Sequence, residues 1–294
     1  MGYRPNLLVR GIQTGRSGTI GVLLSTRCEF QGRLFDGIQT GLAEEHYAAL
    51  SVSTGARLTE LEQIHSLIDR RVDGIILRPC RDTISDEYFR QTLGQQIPLV
   101  TVDANVPSAR DVDFAGTDDR QGATDVAQYL LELGHRRIGL LAAGTYPDSI
   151  YFRSQAFEEA IANCPSATLT KTLQEHGPWK DSSESVMELL TANPRPTAIF
   201  LVMDWLAIGV YQATAELGLR IPEDLSIVGF ADLSFAPALR PGLTTMRQAP
   251  ELIGKTATEL LFRRINNKGT SLPTREILLP PELVIRGSTA PPTE

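Results

Sequence analysis

The feature that most constrains this chain is its rhythm. From Thr19 onwards short apolar runs alternate with stretches whose apolar residues fall three and four apart. Ile20–Ser25 is β-branched and apolar with no polar alternation, the pattern of a strand buried on both faces. Leu34, Ile38 and Leu42 then lie four apart on one face of an amphipathic helix running to His46. The spacing goes on to predict strand Ala48–Thr54, helix Leu58–Arg71, strand Gly74–Leu77 and helix Ser85–Gln95. Strands Leu99–Asp103 and Val112–Gly116 follow, then helix Gln121–Gly134, with Gly134 where a helix C-terminal glycine belongs. The rhythm then restarts with strand Ile138–Ala142, helix Phe152–Asn163, strand Thr168–Leu173 and helix Ser182–Thr191. Strand Ala198–Val202, helix Leu206–Leu217 and strand Leu225–Gly229 complete the second set.

Alternating β and α over this length produces parallel sheets covered on both faces. Two successive sets imply two Rossmann-like, doubly wound α/β lobes, and 294 residues exceeds what one core usually holds. The tail reads as strand Leu243–Arg247, helix Pro250–Ile265 and strands Ile277–Leu279 and Leu283–Ile285. It is too short for a third domain. Its helix is expected to return to the first lobe and its last strands to the second, giving three crossovers. The expected division is 18–132 with 249–276 against 133–248 with 277–294, preceded by a leader over 1–17. Ligands of open α/β sheets bind beyond the carboxyl ends of the strands, so the cleft between lobes is the expected site.

Composition excludes more than it proposes. The longest uninterrupted apolar run, Ala198–Met203, is far short of the ~20 residues that cross a bilayer, and no export signal opens the chain. A soluble cytoplasmic protein is the expectation, without a membrane partner. Cys28, Cys80 and Cys164 form neither a disulfide framework nor a metal spacing. Cys28 and Cys80 each follow a first-lobe strand, where burial is a commoner fate than redox sensing. A net charge of -7 argues against nucleic acid. Yet Arg4, Arg10, Arg16 and Arg27 precede the first acid, Glu29, so a basic leader opens an acidic body.

No catalytic signature stands up. Ala249-Pro-Glu-Leu-Ile-Gly-Lys-Thr256 is one residue from a phosphate-binding loop, but Ala249 replaces the first glycine and Pro250 lacks an N–H. A helical stripe through Ile253, Ala257, Leu260 and Leu261 also runs straight across it. There is no G-x-S-x-G elbow, no H-E-x-x-H, and no G-x-G-x-x-G after a strand. The four histidines sit in separate elements, and His135 is expected to serve a helix end. Asp118-Asp119 is explained by helix capping. Neither catalysis, a cofactor nor a metal is expected.

The leader carries Tyr3-Arg-Pro-Asn6 followed by Leu7, Leu8, Val9 and Ile12, with Arg10 and Arg16 interleaved. Pro5 suits a first helical turn, and fewer than a dozen residues hold a helix only against a partner. Ser17-Gly-Thr-Ile-Gly-Val22 comes next. Further on come Val72-Asp-Gly-Ile-Ile76, Leu133-Gly-His-Arg-Arg-Ile-Gly139 and Arg220-Ile-Pro-Glu-Asp-Leu-Ser-Ile-Val-Gly-Phe230. The last are Leu243-Thr-Thr-Met-Arg-Gln248 and Leu279-Pro-Pro-Glu-Leu-Val-Ile-Arg-Gly-Ser288. In this order and spacing, over essentially the whole chain, they resemble the lactose-repressor (LacI/GalR) family of bacterial transcription regulators. That resemblance implies a two-lobe periplasmic-binding-protein-like core of type I, joined by three crossovers. Such a core dimerises, and a small effector in its cleft moves hinge helices lying on operator DNA. Tyr3, Arg4, Asn6, Arg10 and Ile12 would be the hinge residues on DNA. The family's helix-turn-helix headpiece precedes this hinge, and Met1 falls inside its last motif. Either the sequence is truncated or DNA reading has been lost, and operator DNA is expected as a partner only with that headpiece.

Effector contacts are likewise implied by the resemblance. Ser25, Arg27 and Phe30 would line the first lobe's side, with Asp103 and Asp118 after later strands. Arg153 matches the family arginine that hydrogen-bonds ligand hydroxyls or carboxylates, and Trp179 an aromatic that stacks on the ligand ring. Gln248 would reach the cleft from a crossover. Two positions depart from the pattern. Met203-Asp204 stands where Asn-Asp is usual, and Ala231-Asp232 where two acids are usual. Met203 and Ala231 thus cost the pocket an amide and a carboxylate. Arg27, Arg78 and Arg153 at strand ends then point to a sugar-like effector with an anionic end, a carboxylate or phosphate derivative, unless Arg27 and Arg78 face solvent. Dimerisation is expected through the helix around Leu34–Leu42 and the segment Phe235–Leu239. A solute-binding protein of a transport system is the alternative with the same fold.

Overall fold

A computed structural model of the chain describes residues 16–24, 28–53, 60–79, 97–104, 112–143, 149–174 and 183–293. In chain order the elements begin with β1 (Thr19–Leu24), α1 (Glu29–Glu44), β2 (Ala48–Ser53), α2 (Glu60–Asp69), β3 (Gly74–Leu77), β4 (Leu99–Val102) and β5 (Asp113–Thr117). They continue with α3 (Asp119–Glu132), β6 (Arg137–Ala143), α4 (Ser149–Ala162), β7 (Thr168–Gln174), α5 (Ser183–Thr191), β8 (Ala198–Leu201) and α6 (Trp205–Glu216). The last are β9 (Ser226–Ala231), a 3-10 turn (Ala236–Ala238), β10 (Thr244–Arg247), α7 (Pro250–Asn266), β11 (Glu276–Leu279) and β12 (Glu282–Val284). The expected helix Ser85–Gln95 lies outside the described residues.

Two compact units result, Met1–Gly116 with Ala249–Leu279 and Thr117–Gln248 with Pro280–Glu294, and the chain passes between them three times. The first unit holds a six-stranded sheet in the order β11-β5-β4-β3-β1-β2, with parallel pairing from β2 across to β5. Strand alternation supplies both of its faces. Ile20, Val22, Leu24 and Ile76 pack with α1 and α7, while Leu23, Ile75 and Leu77 pack with α2 through Ile64 and Leu67. Leu34, Ile38 and Leu42 are buried in this core, the apolar face that their spacing predicted. α1 and α7 cross closely because both carry glycine at the contact. A Cβ at Gly37 would run into the backbone of Glu251, and one at Gly254 into that of Leu34. Gly254 in the phosphate-loop look-alike is therefore a packing residue, and its neighbour Lys255 pairs with Glu44 at 2.8 Å.

The second unit has the sheet order β12-β10-β9-β8-β6-β7, parallel except for antiparallel β12. Phe157, Phe200 and Phe230 centre its core. Two elements fall on the other side of the expected boundary. The helix placed at the end of the first lobe, α3, packs on α4 of the second unit, where Gly122 lets Pro281 and Phe230 come close. β11, placed in the second lobe, joins the first sheet beside β5. Arg275 O accepts from Phe114 N, and Asp113 Oδ1 accepts from Arg275 N at 2.7 Å. Asp113 is fully buried and also accepts from Nε and Nη2 of Arg264 at 2.7 Å, an ion pair spanning 151 residues.

His135 serves the end of α3 through its N–H, which donates to Leu130 O at 3.1 Å, while its ring turns elsewhere. It is buried between Thr197 Oγ1 at 2.9 Å and Ala290 O at 3.0 Å, tying the C-terminal tail to the amino ends of the second sheet. Ser288 adds to the strap by accepting from Thr244 N and donating to Ile227 O. Among the described residues no helix is long and apolar enough to cross a membrane.

Candidate functional site

The carboxyl ends of the parallel strands gather the polar side chains that no core requires, and each unit does so separately. In the second unit α4 carries Arg153 under the ends of β8 and β9. Its Nε donates to Asp119 Oδ1 at 2.7 Å, its Nη1 to Val202 O at 2.9 Å, and its guanidinium lies 3.9 Å from the Phe230 ring centroid. The stacking and the charge-assisted bonds fix the plane of the fork. Nη2 is left without an acceptor among the described residues.

Gln248, directly after β10, donates from Nε2 to Thr117 Oγ1 at 2.8 Å, leaving its own Oε1 without a donor among the described residues. Asp118 caps α3 by accepting from Gln121 N at 3.0 Å through Oδ1, and its Oδ2 likewise has no described partner. Met203, which follows β8, is half-buried and packs against the core. Ala231 and Asp232 end β9 with φ of 136° and 53°. The Asp232 carboxylate is fully engaged, by Arg247 Nε at 2.7 Å and Arg286 Nη2 at 2.6 Å.

Asp204 departs from its expected role as an effector contact. It has no exposed surface at all, and its carboxylate accepts from Thr245 Oγ1 at 2.6 Å and Leu233 N at 2.9 Å. Burial pushes its carboxyl up to about 6, against the pull of those two donors. Gly229 belongs to the same arrangement, because a Cβ there would collide with Asp204 Oδ1.

In the first unit Arg78 follows β3 and donates from Nε to Asp103 Oδ2 at 2.5 Å. Asp103 ends β4 in the left-handed region, with φ of 60°. Arg78 therefore does not face solvent unpaired. Phe30, in the first turn of α1, is buried in that unit's core. Ser25, Arg27 and Trp179, and the leader residues Tyr3, Arg4, Asn6, Arg10 and Ile12, lie outside the described residues.

Two features at these strand ends escaped sequence reasoning: Asp119 as the partner of Arg153, and Phe230 as its stacking surface. The first was visible only as the second acid of Asp118-Asp119, and nothing in the sequence says which of two adjacent carboxylates turns inward. No cluster of three metal-ligating side chains occurs among the described residues.

Residues 127–289 match the family model of the periplasmic binding protein-like domain. The chain is 30% identical to the ribose operon repressor of Haemophilus influenzae, over 98% of this chain and 86% of that protein. It is 28% identical to the HTH-type transcriptional repressor PurR of Vibrio vulnificus, over 97% of this chain and 85% of that protein. A LacI family transcriptional regulator from Enterococcus faecium, crystallised with bound ribose, superposes with a TM-score of 0.78. The two are 28% identical, over 93% of this chain and 99% of the other. The fold and its strand-end sites thus define a periplasmic-binding-protein-like ligand-binding domain. The chain belongs to the LacI/GalR family of transcription regulators, and such a domain senses ligands rather than catalysing reactions.

Proposed function

We propose that this chain is a transcriptional repressor core that binds a neutral, sugar-like effector through the strand-end residues Arg153, Gln248, Asp118 and Met203. Asp103, Ala231, Phe30 and the undescribed Ser25, Arg27 and Trp179 belong to the same reading. The observation that carries it is the mixture of unspent hydrogen-bonding capacity: a donor on Arg153 Nη2, and acceptors on Gln248 Oε1 and Asp118 Oδ2. A hydroxyl both donates and accepts, so a polyol satisfies such a set.

Charge moves the reading away from an anionic effector. Two of the three strand-end arginines that favoured an anion are cancelled, Arg153 by Asp119 and Arg78 by Asp103. An anion would meet guanidinium groups whose charge is already matched. Ribose, bound by the Enterococcus faecium relative, is the natural first probe. Calorimetry should find binding of ribose or another neutral sugar, with ribose 5-phosphate and ribonate weaker by at least tenfold. Tighter binding of either anion would overturn the assignment.

The reading includes a homodimer. Ile208, Leu252 and Ile285 expose large apolar side chains that a second copy could cover. Light scattering is expected to give about twice the 32.2 kDa chain mass. A monomer would favour a solute-binding role instead. Operator DNA is the remaining partner, reached through Tyr3, Arg4, Asn6, Arg10 and Ile12 together with a helix-turn-helix segment.

A further inference from the structure

We infer that Asp204 is a positioning residue for effector binding: from behind the strand ends it holds the Ala231–Asp232 turn and the end of β10 in their ligand-ready arrangement. This rests on the effector-binding role proposed above.

The geometry is that of a tie between three strand ends. Asp204 follows β8, and its N–H donates to Phe230 O at 3.0 Å, joining β8 to β9. Its Oδ2 accepts from Leu233 N, just past the β9 turn, and its Oδ1 from the Thr245 hydroxyl on β10. Thr245 Oγ1 in turn accepts from Asp232 N at 3.4 Å, so one carboxylate grips the turn from both sides.

The turn needs such a grip. Ala231, with φ of 136°, occupies a region that side chains other than glycine rarely adopt, and Asp232 follows in the left-handed region. A backbone of this kind is strained and persists only where its surroundings over-determine it. Arg247 and Arg286 hold the Asp232 carboxylate, and on the far side Asp204 Oδ2 holds the Leu233 N–H. Ala231 sits directly beside Phe230, the ring on which Arg153 stacks. A relaxed turn would therefore shift the surface that orients the Arg153 fork.

Among the described residues the charged group that acts on Asp204 is Asp232 on the β9 turn, itself paired with Arg247 on β10 and Arg286 on the tail. Asp232 raises the Asp204 carboxyl further, after burial. Protonation would remove an acceptor from the tie, so the grip should loosen as pH falls through about 6.

Ribose affinity is read on the full chain with Trp179 kept, and emission on a Trp179→Phe parent, which leaves Trp205 as the sole tryptophan. Its ring lies 4.9 Å from that of Phe235, in the segment the turn leads into. Asp204→Asn should weaken ribose binding at least tenfold at pH 7.5 while melting no lower than its parent, because it removes a buried charge and keeps the shape. Parent emission should titrate with a midpoint near pH 6 and be flat in Asp204→Asn. Thr245→Val, which deletes one of the two donors, should weaken ribose several-fold and serves if the first variant does not fold. Unchanged ribose affinity in a folded Asp204→Asn protein, or identical emission titrations in the two proteins, overturns the proposal. If the chain with Trp179 kept binds no ribose, the effector reading fails and the effect on affinity falls with it. The emission titration then still decides whether Asp204 holds the turn.

Discussion

Arg153 shows what one residue can and cannot disclose. Its presence in Arg-Ser-Gln-Ala-Phe157 marked it as a ligand contact, but its charge balance depended on Asp119, 34 positions earlier and in another helix. Sequence neighbours cannot reveal such a pair, because helices approach each other only through the packing of α3 on α4. A buried ion pair adds little net stability, whereas removing one partner strands the other charge at a cost of about 3 kcal/mol. Arg153→Ala should therefore both abolish detectable ribose binding and lower the urea midpoint. Adding Asp119→Ala should restore much of the midpoint but none of the binding. A double variant no more stable than the single one would show that the pair is not what holds this corner. Gly229 teaches the reverse lesson. It stood in the Val-Gly-Phe string as a family mark, and its reason appears only with the Asp204 carboxylate against it.

At the scale of elements, buried or half-buried side chains help to fasten two segments. Where the leader enters β1, Asp73 accepts from Ser17 N at 2.9 Å and Gly18 N at 2.8 Å, and Gly18 takes φ of 69° to present its amide there. Ser17-Gly-Thr-Ile-Gly-Val and Val-Asp-Gly-Ile-Ile, separate strings in the sequence, are two halves of this latch. Trypsin cleavage after Arg16 should accelerate at least tenfold in Asp73→Ala, because the scissile amide is the one Asp73 holds. An unchanged rate, read by mass spectrometry of the released peptide, would show that other contacts suffice.

The second fastening, His135 on the C-terminal tail, brings a pH dependence. Burial lowers its pKa, so the stability it lends is present above the ordinary histidine value of about 6.5 and is lost as pH falls through the lower folded value. Asp204 works the other way. Its raised carboxyl lends stability that is complete below its ordinary value of 3.8 and is lost as pH rises through about 6. The two oppose each other on the acid side of neutrality. Between pH 7 and 5 the fall in melting temperature should shrink in His135→Gln and grow in Asp204→Asn. Parallel pH profiles for wild type and His135→Gln would remove the histidine from this account.

For the whole molecule, the restart of the βα rhythm near Ile138 made two units legible, since a strand buried on both faces demands helices on both sides. Which sheet an element joins was less legible. Periodicity states that Asp119–Glu132 is an amphipathic helix and Glu276–Leu279 a strand, but pairing is decided by tertiary partners. For α3 these are α4 and β12, and for β11 they are β5 and Asp113. The strand-end site was half legible for the same reason: its positions follow from topology, its net charge from pairings that topology does not fix. That charge balance can be read on the intact chain. A ligand that binds only the folded form at a hundred times its Kd stabilises it by about 2.7 kcal/mol. Unfolding 294 residues at about 2.1 cal/mol/K per residue converts this into a rise of about 4 °C in melting temperature. Ribose or another neutral sugar is expected to produce that rise, and ribose 5-phosphate at the same concentration to fall well short of it. A larger rise with the phosphate would mean that the guanidinium groups of Arg78 and Arg153 leave their carboxylates to meet the ligand.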